Sequence, residues 1–488
     1  MDDGDRALYA AFRSKDPRFD GRFFVGVAST GIYCRPICRA RLPRAENCRF
    51  YATAAEAEQA GFRPCLLCRP ELAPGSSAMD ATASLARKAA LLLEENCGSG
   101  LGLEELASRL GYTNRHLRRA FEAEYHVSPV QYLQTCRLLL AKGLLTDTEL
   151  PVLDVAMAAG FGSLRRLNDL FRKRYRLAPT ALRRESRASG GRRGDLTLSL
   201  GYRPPYSWQP MLDFLSRRAI RGVEAVREGE YWRVVRLPCD ERRDVSGWIR
   251  VGRHPTGNFL AVSLSDSLLP ALPQVLARVR QLFDLGCDPA AISDALASMN
   301  DLGPGLRVPG TRLPGCFDPF EMAVRAVLGQ QVTVKAAGTL AARLVEAHGP
   351  PVQTGIEGLS RAFPPPGAFI ALGRRGRIED SLGPLGIIAA RARAILALAR
   401  MFAQGYIRLD PSARPEAEME KLLAIPGIGP WTAKYIVMRA MGWPDAFLET
   451  DHGVKKALAP RTPREISALA EAWRPWRSYA MINLWNSL

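Results

Sequence analysis

The spacing of apolar residues changes regime along the chain. Between residues 80 and 185 they recur with the 3.6-residue period of amphipathic helices, in runs cut by Gly111, Pro129, Pro151, Gly160 and Pro179. Between 196 and 265 the period falls to two, as in Tyr231-Trp232-Arg233-Val234-Val235-Arg236-Leu237, which predicts antiparallel strands. From about 270 onward the helical period returns, with Gly/Pro punctuation. Residues 1–75 are marked by cysteine instead, holding five of the chain's ten. Two stretches read as linkers, Ala73-Pro74-Gly75-Ser76-Ser77 and the basic, Gly/Ser-rich run from Ser186 to Gly194. The expected division is 1–76, a small four-cysteine α/β domain; 80–185, an all-α region; 186–195, a linker allowing the two halves independence; 196–268, a small antiparallel β domain; and 269–488, a helical core. The fold class is multidomain α+β.

Composition sharpens this. A chain of 488 residues suits three or four domains, and 47% hydrophobic with 24% charged residues is ordinary for globular protein. The net charge of +18 calls for a polyanionic partner. The excess divides evenly between residues 1–195 and the remainder, so nucleic-acid contacts are expected in both halves. No apolar run reaches the ~18 residues of a membrane span. The start, Met1-Asp2-Asp3-Gly4-Asp5, lacks the apolar stretch of a secretory signal. A cytoplasmic location without membrane contact is expected, where cysteines serve as metal ligands or thiols before disulfides.

Cys34-x3-Cys38 and Cys65-x2-Cys68 are two close pairs, the spacing that lets two turns converge on one tetrahedral metal. Four thiolates favour zinc. Cys48 reads as a core thiol, and Cys97, Cys136, Cys239, Cys287 and Cys316 as small buried hydrophobes. The flanking phrases Thr30-Gly31-Ile32-Tyr33-Cys34-Arg35-Pro36, Glu46-Asn47-Cys48-Arg49-Phe50-Tyr51 and Gly61-Phe62-Arg63-Pro64-Cys65 resemble the N-terminal domain of the Ada methyl phosphotriester repair proteins. The resemblance implies that Cys34 accepts the methyl group, once and without turnover, and that Cys38, Cys65 and Cys68 complete the zinc shell. Four thiolates and one zinc dication sum to −2, and methylating one leaves −1. A unit charge near a phosphate is worth about 1 kcal/mol at 4 Å in water. Methylation is therefore expected to tighten DNA binding.

Leu101–Tyr112 followed by Thr113–Phe121 reads as an amphipathic helix, a glycine turn, a Thr/Asn cap and a basic second helix. Val152–Gly162 followed by Ser163–Tyr175 repeats the arrangement. The Ala-Gly-Phe turn and the endings Phe121–Pro129 and Phe171–Pro179 resemble the tandem helix-turn-helix of AraC-type activators. Promoter DNA and RNA polymerase are the partners this implies. Arg115, Arg118, Arg119, Arg165 and Arg166 stand where they can reach phosphates or base edges, and phosphate contact is the commoner role.

Leu422–Tyr435 is a helix–Pro-Gly-x-Gly–helix pattern that looks like a helix-hairpin-helix. Gly427 and Gly429 permit a tight turn, the following N–H groups as far as Thr432 can grip a DNA phosphate, and turn carbonyls can hold a monovalent cation. Asp451 stands 20 residues after Trp431, like the catalytic Asp of helix-hairpin-helix glycosylases. Tyr202–Trp208 with Phe214, Phe320–Val334 and Trp473–Ala480 resemble AlkA-type 3-methyladenine glycosylases. That resemblance implies that Asp451 stabilises an oxocarbenium-like sugar once the base is flipped out. It also implies an aromatic cleft of Phe214, Trp431, Tyr435 and Trp485, whose electron-rich faces suit a cationic base. Gln331 matches a position held by a leucine wedge in the enteric member of that family, and His452 replaces a tyrosine. Lys434 does not match the lyase lysine of bifunctional relatives, which falls near Trp431, so hydrolysis without strand cleavage is expected.

The whole reads as an Ada–AlkA fusion: a monomeric alkylation-damage protein acting on double-stranded DNA, with single-turnover methyl phosphotriester repair, transcriptional regulation, and excision of 3-methyladenine and related bases. No Pro-Cys-His-Arg motif of O6-methylguanine methyltransferases occurs. The alternative is a transcriptional regulator with a catalytically silent glycosylase-like module, against which Asp451 beside the hairpin argues. A zinc protein that merely binds DNA requires an inert Cys34.

Overall fold

The computed structural model describes residues 3–70, 78–98, 101–188, 196–238, 244–410 and 413–488. Helix α1 (Asp3–Ser14) leads into a four-stranded sheet of β1 (Phe24–Val27), β2 (Ile32–Cys34), β3 (Cys48–Tyr51) and β4 (Arg63–Pro64), in the order β3-β1-β2-β4. The β1 strand pairs antiparallel with β2 and β3, and β2 runs parallel to β4. The chain between β3 and β4 forms α2 (Ala54–Gln59), opened by a Thr53/Glu56 capping box. The expected linker at 73–77 lies outside the described residues.

Seven helices follow: α3 (Ala78–Glu95), α4 (Leu103–Leu110), α5 (Asn114–Tyr125), α6 (Pro129–Asp147), α7 (Val152–Ala158), α8 (Leu164–Tyr175) and α9 (Pro179–Ala188). The breaks act as their chemistry requires. Gly111 closes α4 in the left-handed conformation, and Thr113 caps α5 by accepting from the His116 N–H. Ser163 does the same for α8, while Pro129 sits in the first turn of α6, where its missing N–H costs nothing. Gly160 turns α7 toward α8 at φ +77°, and a Cβ there would lie 2.4 Å from the Cys97 carbonyl. Only glycine fits. Helix α9 continues through Ala188, so the first residues of the expected linker are helical; 189–195 lie outside the described residues.

The second half opens with β5 (Thr197–Gly201), α10 (Trp208–Ser216), β6 (Glu224–Arg227), β7 (Glu230–Pro238), β8 (Asp244–Arg253) and β9 (Phe259–Leu264), an antiparallel sheet in the order β5-β9-β8-β7-β6. Helix α10 was not anticipated within this strand region. Its signal is present: Trp208, Met211, Leu212 and Leu215 fall at i, i+3, i+4 and i+7, and all four are buried. The helical remainder comprises α11 (Leu272–Leu282), α12 (Pro289–Ala295), α13 (Pro319–Leu328), α14 (Val334–His348), α15 (Pro366–Arg375), α16 (Ile378–Leu382), α17 (Ala389–Ala403), α18 (Pro415–Leu423), α19 (Pro430–Met441), α20 (His452–Ala457), α21 (Pro463–Ala470) and α22 (Arg477–Asn486). A buried ion network joins the β sheet to α13. Arg233 pairs with Glu224 at 3.0 Å and with Glu321, and Arg325 lies 2.9 Å from each acid. Removing one partner of such a set costs about 3–5 kcal/mol.

The halves are not independent bodies. Leu138, Ala141, Leu144 and Leu145 of α6 share one apolar core with Leu198 and Leu200 of β5. Asp147 accepts from the Ser199 N–H at 3.1 Å, and Gln274 donates to Asn96 at 3.2 Å. The N-terminal domain also reaches across, with Arg13 2.8 Å from Asp294. A linker allows domains to separate, but apolar burial decides whether they do.

Candidate functional site

Two constellations of reactive groups stand apart. The first is the cysteine cluster. Cys34 ends β2, and Cys65 is held beside it by its N–H on the Tyr33 carbonyl at 3.0 Å. The Sγ atoms of Cys34, Cys38, Cys65 and Cys68 all lie within 4.8 Å of one another. Ligands 2.3 Å from a tetrahedral zinc stand roughly 3.8 Å apart, so the cluster fits that ion. The chemistry agrees. Hydrogen bonding to Cys38 and Cys68, with burial, pushes the Cys34 thiol far up, while hydrogen bonds from Cys34 and Cys68 draw Cys38 far down. Thiols this close share protons, and only a cation allows all four to be thiolates.

Cys34 is 6% exposed and Cys68 is the most open of the four. Between Cys65 and Cys68, Leu66 and Leu67 project into solvent at 84% and 65% exposure; the sequence reading passed over them. Arg35, next to Cys34, is also new to the site. Its backbone N–H points to the Cys68 Sγ at 3.3 Å, and its buried guanidinium pairs with Asp20. Arg87 of α3 meets the same carboxylate at 2.7 Å and Glu124 of α5 at 3.0 Å. Cys48 is buried, as are Cys97, Cys287 and Cys316, but Cys136 is only half-buried because it lies on a partly open face of α6. Cys239 lies outside the described residues.

The second constellation is an aromatic cleft around Asp451. Asp451 caps α20, one carboxylate oxygen accepting from the Val454 N–H at 3.1 Å. The same oxygen accepts from the Trp485 indole at 2.8 Å, and the other from the Trp431 indole at 3.2 Å. Trp431 and Tyr435 stack one helical turn apart on α19, with ring centres 5.2 Å apart. Phe214 lies nearly parallel to Trp485 at 6.3 Å. These five residues come together from four distant segments. Gly453 makes the approach possible, since a Cβ there would lie 2.8 Å from the Trp485 ring and 3.2 Å from the Asp451 oxygen.

Two arginines missed in the sequence share this cleft. The Arg218 and Arg439 guanidiniums lie 3.7 and 4.7 Å from the Phe214 ring centre, and Arg439 donates to the Tyr435 hydroxyl at 2.8 Å. Burial alone would raise the Tyr435 phenol; the charges of Arg439, Arg218 and Arg325 outweigh it and hold the phenol below its ordinary value.

The hairpin turn before α19 holds Gly427 at φ +92° with Gly429 as N-cap. Thr432 is buried, and its hydroxyl accepts from Gln330 at 3.1 Å. Gln330 also donates to the Gly427 carbonyl at 2.8 Å. Gln331 is exposed at the apex of the α13–α14 turn at φ +52°, beside exposed Val332. Lys434 pairs with Glu449 at 3.3 Å. Arg115, Arg118, Arg119, Arg165 and Arg166 are all exposed, on α5 and α8 away from the cleft, and Arg172, Lys173 and Arg174 extend the basic face of α8. No described helix is long and apolar enough to cross a membrane.

Sequence comparison places three families on this chain. The metal binding domain of Ada matches residues 7–71, a helix-turn-helix domain matches 106–185, and the AlkA N-terminal domain matches 197–318. The protein named "Probable bifunctional transcriptional activator/DNA repair enzyme AlkA" of Mycobacterium tuberculosis is 39% identical over 497 residues, covering 100% of this chain and 97% of that protein. DNA-3-methyladenine glycosylase 2 of Escherichia coli is 37% identical over 288 residues, 59% of this chain and 96% of that one. The bifunctional transcriptional activator/DNA repair enzyme Ada of E. coli is 39% identical over 133 residues, 27% of this chain and 36% of that protein. The four clustered cysteines are the ligands of one zinc ion.

Proposed function

We propose, from the premise that this chain belongs to the family of bifunctional transcriptional activator/DNA repair enzymes of the AlkA type, that it repairs two kinds of alkylation damage in double-stranded DNA and regulates transcription in response. The observation that carries the reading is the Asp451 carboxylate, gripped by two indole N–H groups inside an aromatic cleft.

In the cleft, the flipped alkylpurine lies among Phe214, Trp431, Tyr435 and Trp485. The C1′–N bond breaks with its electron pair leaving on the base, which already carries positive charge and needs no strong acid. Asp451 faces the developing positive charge on the sugar and orients the water that attacks C1′. Two indole donors hold the carboxylate in place before reaction. Lys434, spent on Glu449, supports hydrolysis without strand cleavage. The backbone N–H groups after Gly427 and Gly429 hold a phosphate at the helix N-terminus, and the turn carbonyls suit a monovalent cation. Gln331, with Val332 beside it, fills the emptied stack.

In the N-terminal domain, Cys34 Sγ attacks the methyl carbon of a phosphotriester; the S–C bond forms as the C–O bond breaks, and the diester leaves with the electron pair. Zinc, when bound, keeps the thiolates deprotonated. Leu66 and Leu67 give the cluster an apolar rim, which suits an uncharged triester better than an anionic diester. Methylation lowers the negative charge of the cluster and tightens DNA binding; α5 and α8 carry Arg115, Arg118, Arg119, Arg165 and Arg166 to promoter DNA, where RNA polymerase is recruited. The protein acts as a monomer, with residues 1–76, 80–185, 196–268 and 269–488 as its working parts.

The test is duplex DNA bearing radiolabelled methyl groups on phosphates and bases. Label is expected both on the protein and as free base. Free base without protein-bound label reduces the zinc domain to a structural element; protein-bound label without free base turns the second half into a binding module.

A further inference from the structure

The segment between α1 and β1 joins the N-terminal domain to the cleft. Phe19 packs edge-on against Trp476 at 5.2 Å, and the Arg22 guanidinium lies 3.8 Å over the Trp443 ring while pairing with Glu416 at 2.8 Å. Between them, Arg18 donates to the Gly442 carbonyl at 3.1 Å and to the Tyr479 hydroxyl at 3.3 Å. Gly442 is the C-cap of α19, and Tyr479 lies in the first turn of α22. One guanidinium therefore bridges the helix that carries Trp431 and Tyr435 and the helix that carries Trp485. Those tryptophans grip the two oxygens of Asp451 from opposite helices, so the spacing of α19 and α22 sets the geometry of the carboxylate.

The clamp is itself held. Asp16 accepts from the Arg18 Nη2 at 2.8 Å and fixes the fork. The Tyr479 hydroxyl donates to the Asp284 carboxylate at 2.6 Å, leaving its oxygen to accept from Arg18. A cation at the carboxyl end of α19 also complements the helix dipole. Two residues beyond Arg18, Asp20 anchors the segment to Arg35, beside Cys34, and to Arg87 of α3.

We propose that Arg18 is a positioning residue for base excision, lent to the cleft by the zinc domain: it fixes α19 against α22 and so aligns the two indoles on Asp451. The inference rests on the role given to Asp451 above. It makes the N-terminal domain a working part of the glycosylase rather than a passenger.

The test uses the full-length, zinc-loaded chain and single-turnover excision of 3-methyladenine from duplex DNA. Arg18→Ala is expected to slow the excision step about tenfold, since misplacement of a reacting group by a fraction of an ångström costs that much. The DNA concentration for half-saturation should hardly move. Arg18→Lys, which keeps the charge but not the fork, should recover part of the loss. In a Trp485→Phe background the Arg18→Ala effect should shrink below about twofold, because the shared contact is already gone. Methyl transfer to Cys34 should be unchanged, which shows that the N-terminal domain remains folded. An unchanged excision step in Arg18→Ala overturns the proposal, as does a loss that multiplies in full with that of Trp485→Phe. An Asp451→Asn chain that still excises at the wild-type rate removes the reading of the cleft and the clamp with it; an inactive Asp451→Asn chain with an unaffected Arg18→Ala chain removes the clamp alone.

Discussion

The two centres are built on opposite plans. The zinc cluster draws its four sulfurs from two short loops between Cys34 and Cys68, and its groups touch because the local chain turns back on itself. The cleft draws Phe214, Trp431, Asp451 and Trp485 from segments that only the finished fold brings together. A metal can organise the first with little help from the rest of the chain. The second depends on helix packing far from the reacting atoms, so it should be sensitive to remote substitutions and the first should not.

The largest effect should come from dismantling the local centre. Structural zinc in small domains is worth about 10–16 kcal/mol, comparable with or above the total stability of such a domain. Cys38→Ser, or a strong chelator, should abolish methyl acceptance and open residues 3–70 to limited proteolysis. Base excision should fall only by the factor seen for Arg18→Ala. An equal collapse of both activities would mean that the two centres share one folding unit.

Next comes the tightest contact of the non-local centre. Gly453→Ala puts a methyl group 2.8 Å from the Trp485 ring. It should slow excision about a hundredfold, the cost of a 1 Å misplacement, while methyl transfer persists. Rapid-quench kinetics on both reactions checks this.

Trp485→Phe removes one N–H donor from the Asp451 carboxylate. A hydrogen bond to a charged group is worth about 1.5–3 kcal/mol, so a loss of about ten- to a hundredfold in excision is expected, with DNA affinity retained. Equal losses in affinity and rate would make Trp485 a packing residue instead.

The smallest effect concerns Tyr435. Its phenol sits below the ordinary tyrosine value because of Arg439, Arg218 and Arg325. A lowered folded value contributes stability that is full above the unfolded value near ~10 and fades as pH falls through the folded one. Melting curves of wild type and Tyr435→Phe should therefore diverge in favour of wild type as pH rises through that window. Parallel curves would show that the arginines do not reach the phenol.

The same contrast explains what was legible in the sequence. Two cysteine pairs at metal-binding spacing announce their site, because metal geometry imposes the spacing. The caps and breaks of the helix-turn-helix region are equally local, and Gly111, Thr113, Pro129 and Ser163 stand where their backbone chemistry needs them. The cleft residues could be named only by family resemblance, since nothing in the spacing of Phe214, Trp431 and Trp485 makes them neighbours. Arg218, Arg439 and Gly453 escaped because each acts through a partner remote in sequence or a clash that only coordinates reveal. Helix α10 escaped for another reason: a helical run of only nine residues was submerged in a region of alternating strands. The Gly/Ser-rich linker left the coupling of the halves open, because linker composition carries no information on the apolar faces that α6 and β5 press together.

The central claim is that one chain holds two separate reaction centres, one consumed and one preserved. The most direct measurement follows both products from methyl-labelled duplex DNA with Cys34→Ser and Asp451→Asn chains, using intact-protein mass spectrometry for the added methyl and chromatography for the free base. The account predicts that Cys34→Ser, which also removes a zinc ligand, loses the protein-bound methyl and keeps base excision to within the about tenfold loss expected for Arg18→Ala, while Asp451→Asn takes up one methyl and releases no base above about a thousandth of the wild-type rate. A Cys34→Ser protein that still gains the methyl, or an Asp451→Asn protein that still releases base at the wild-type rate, contradicts it.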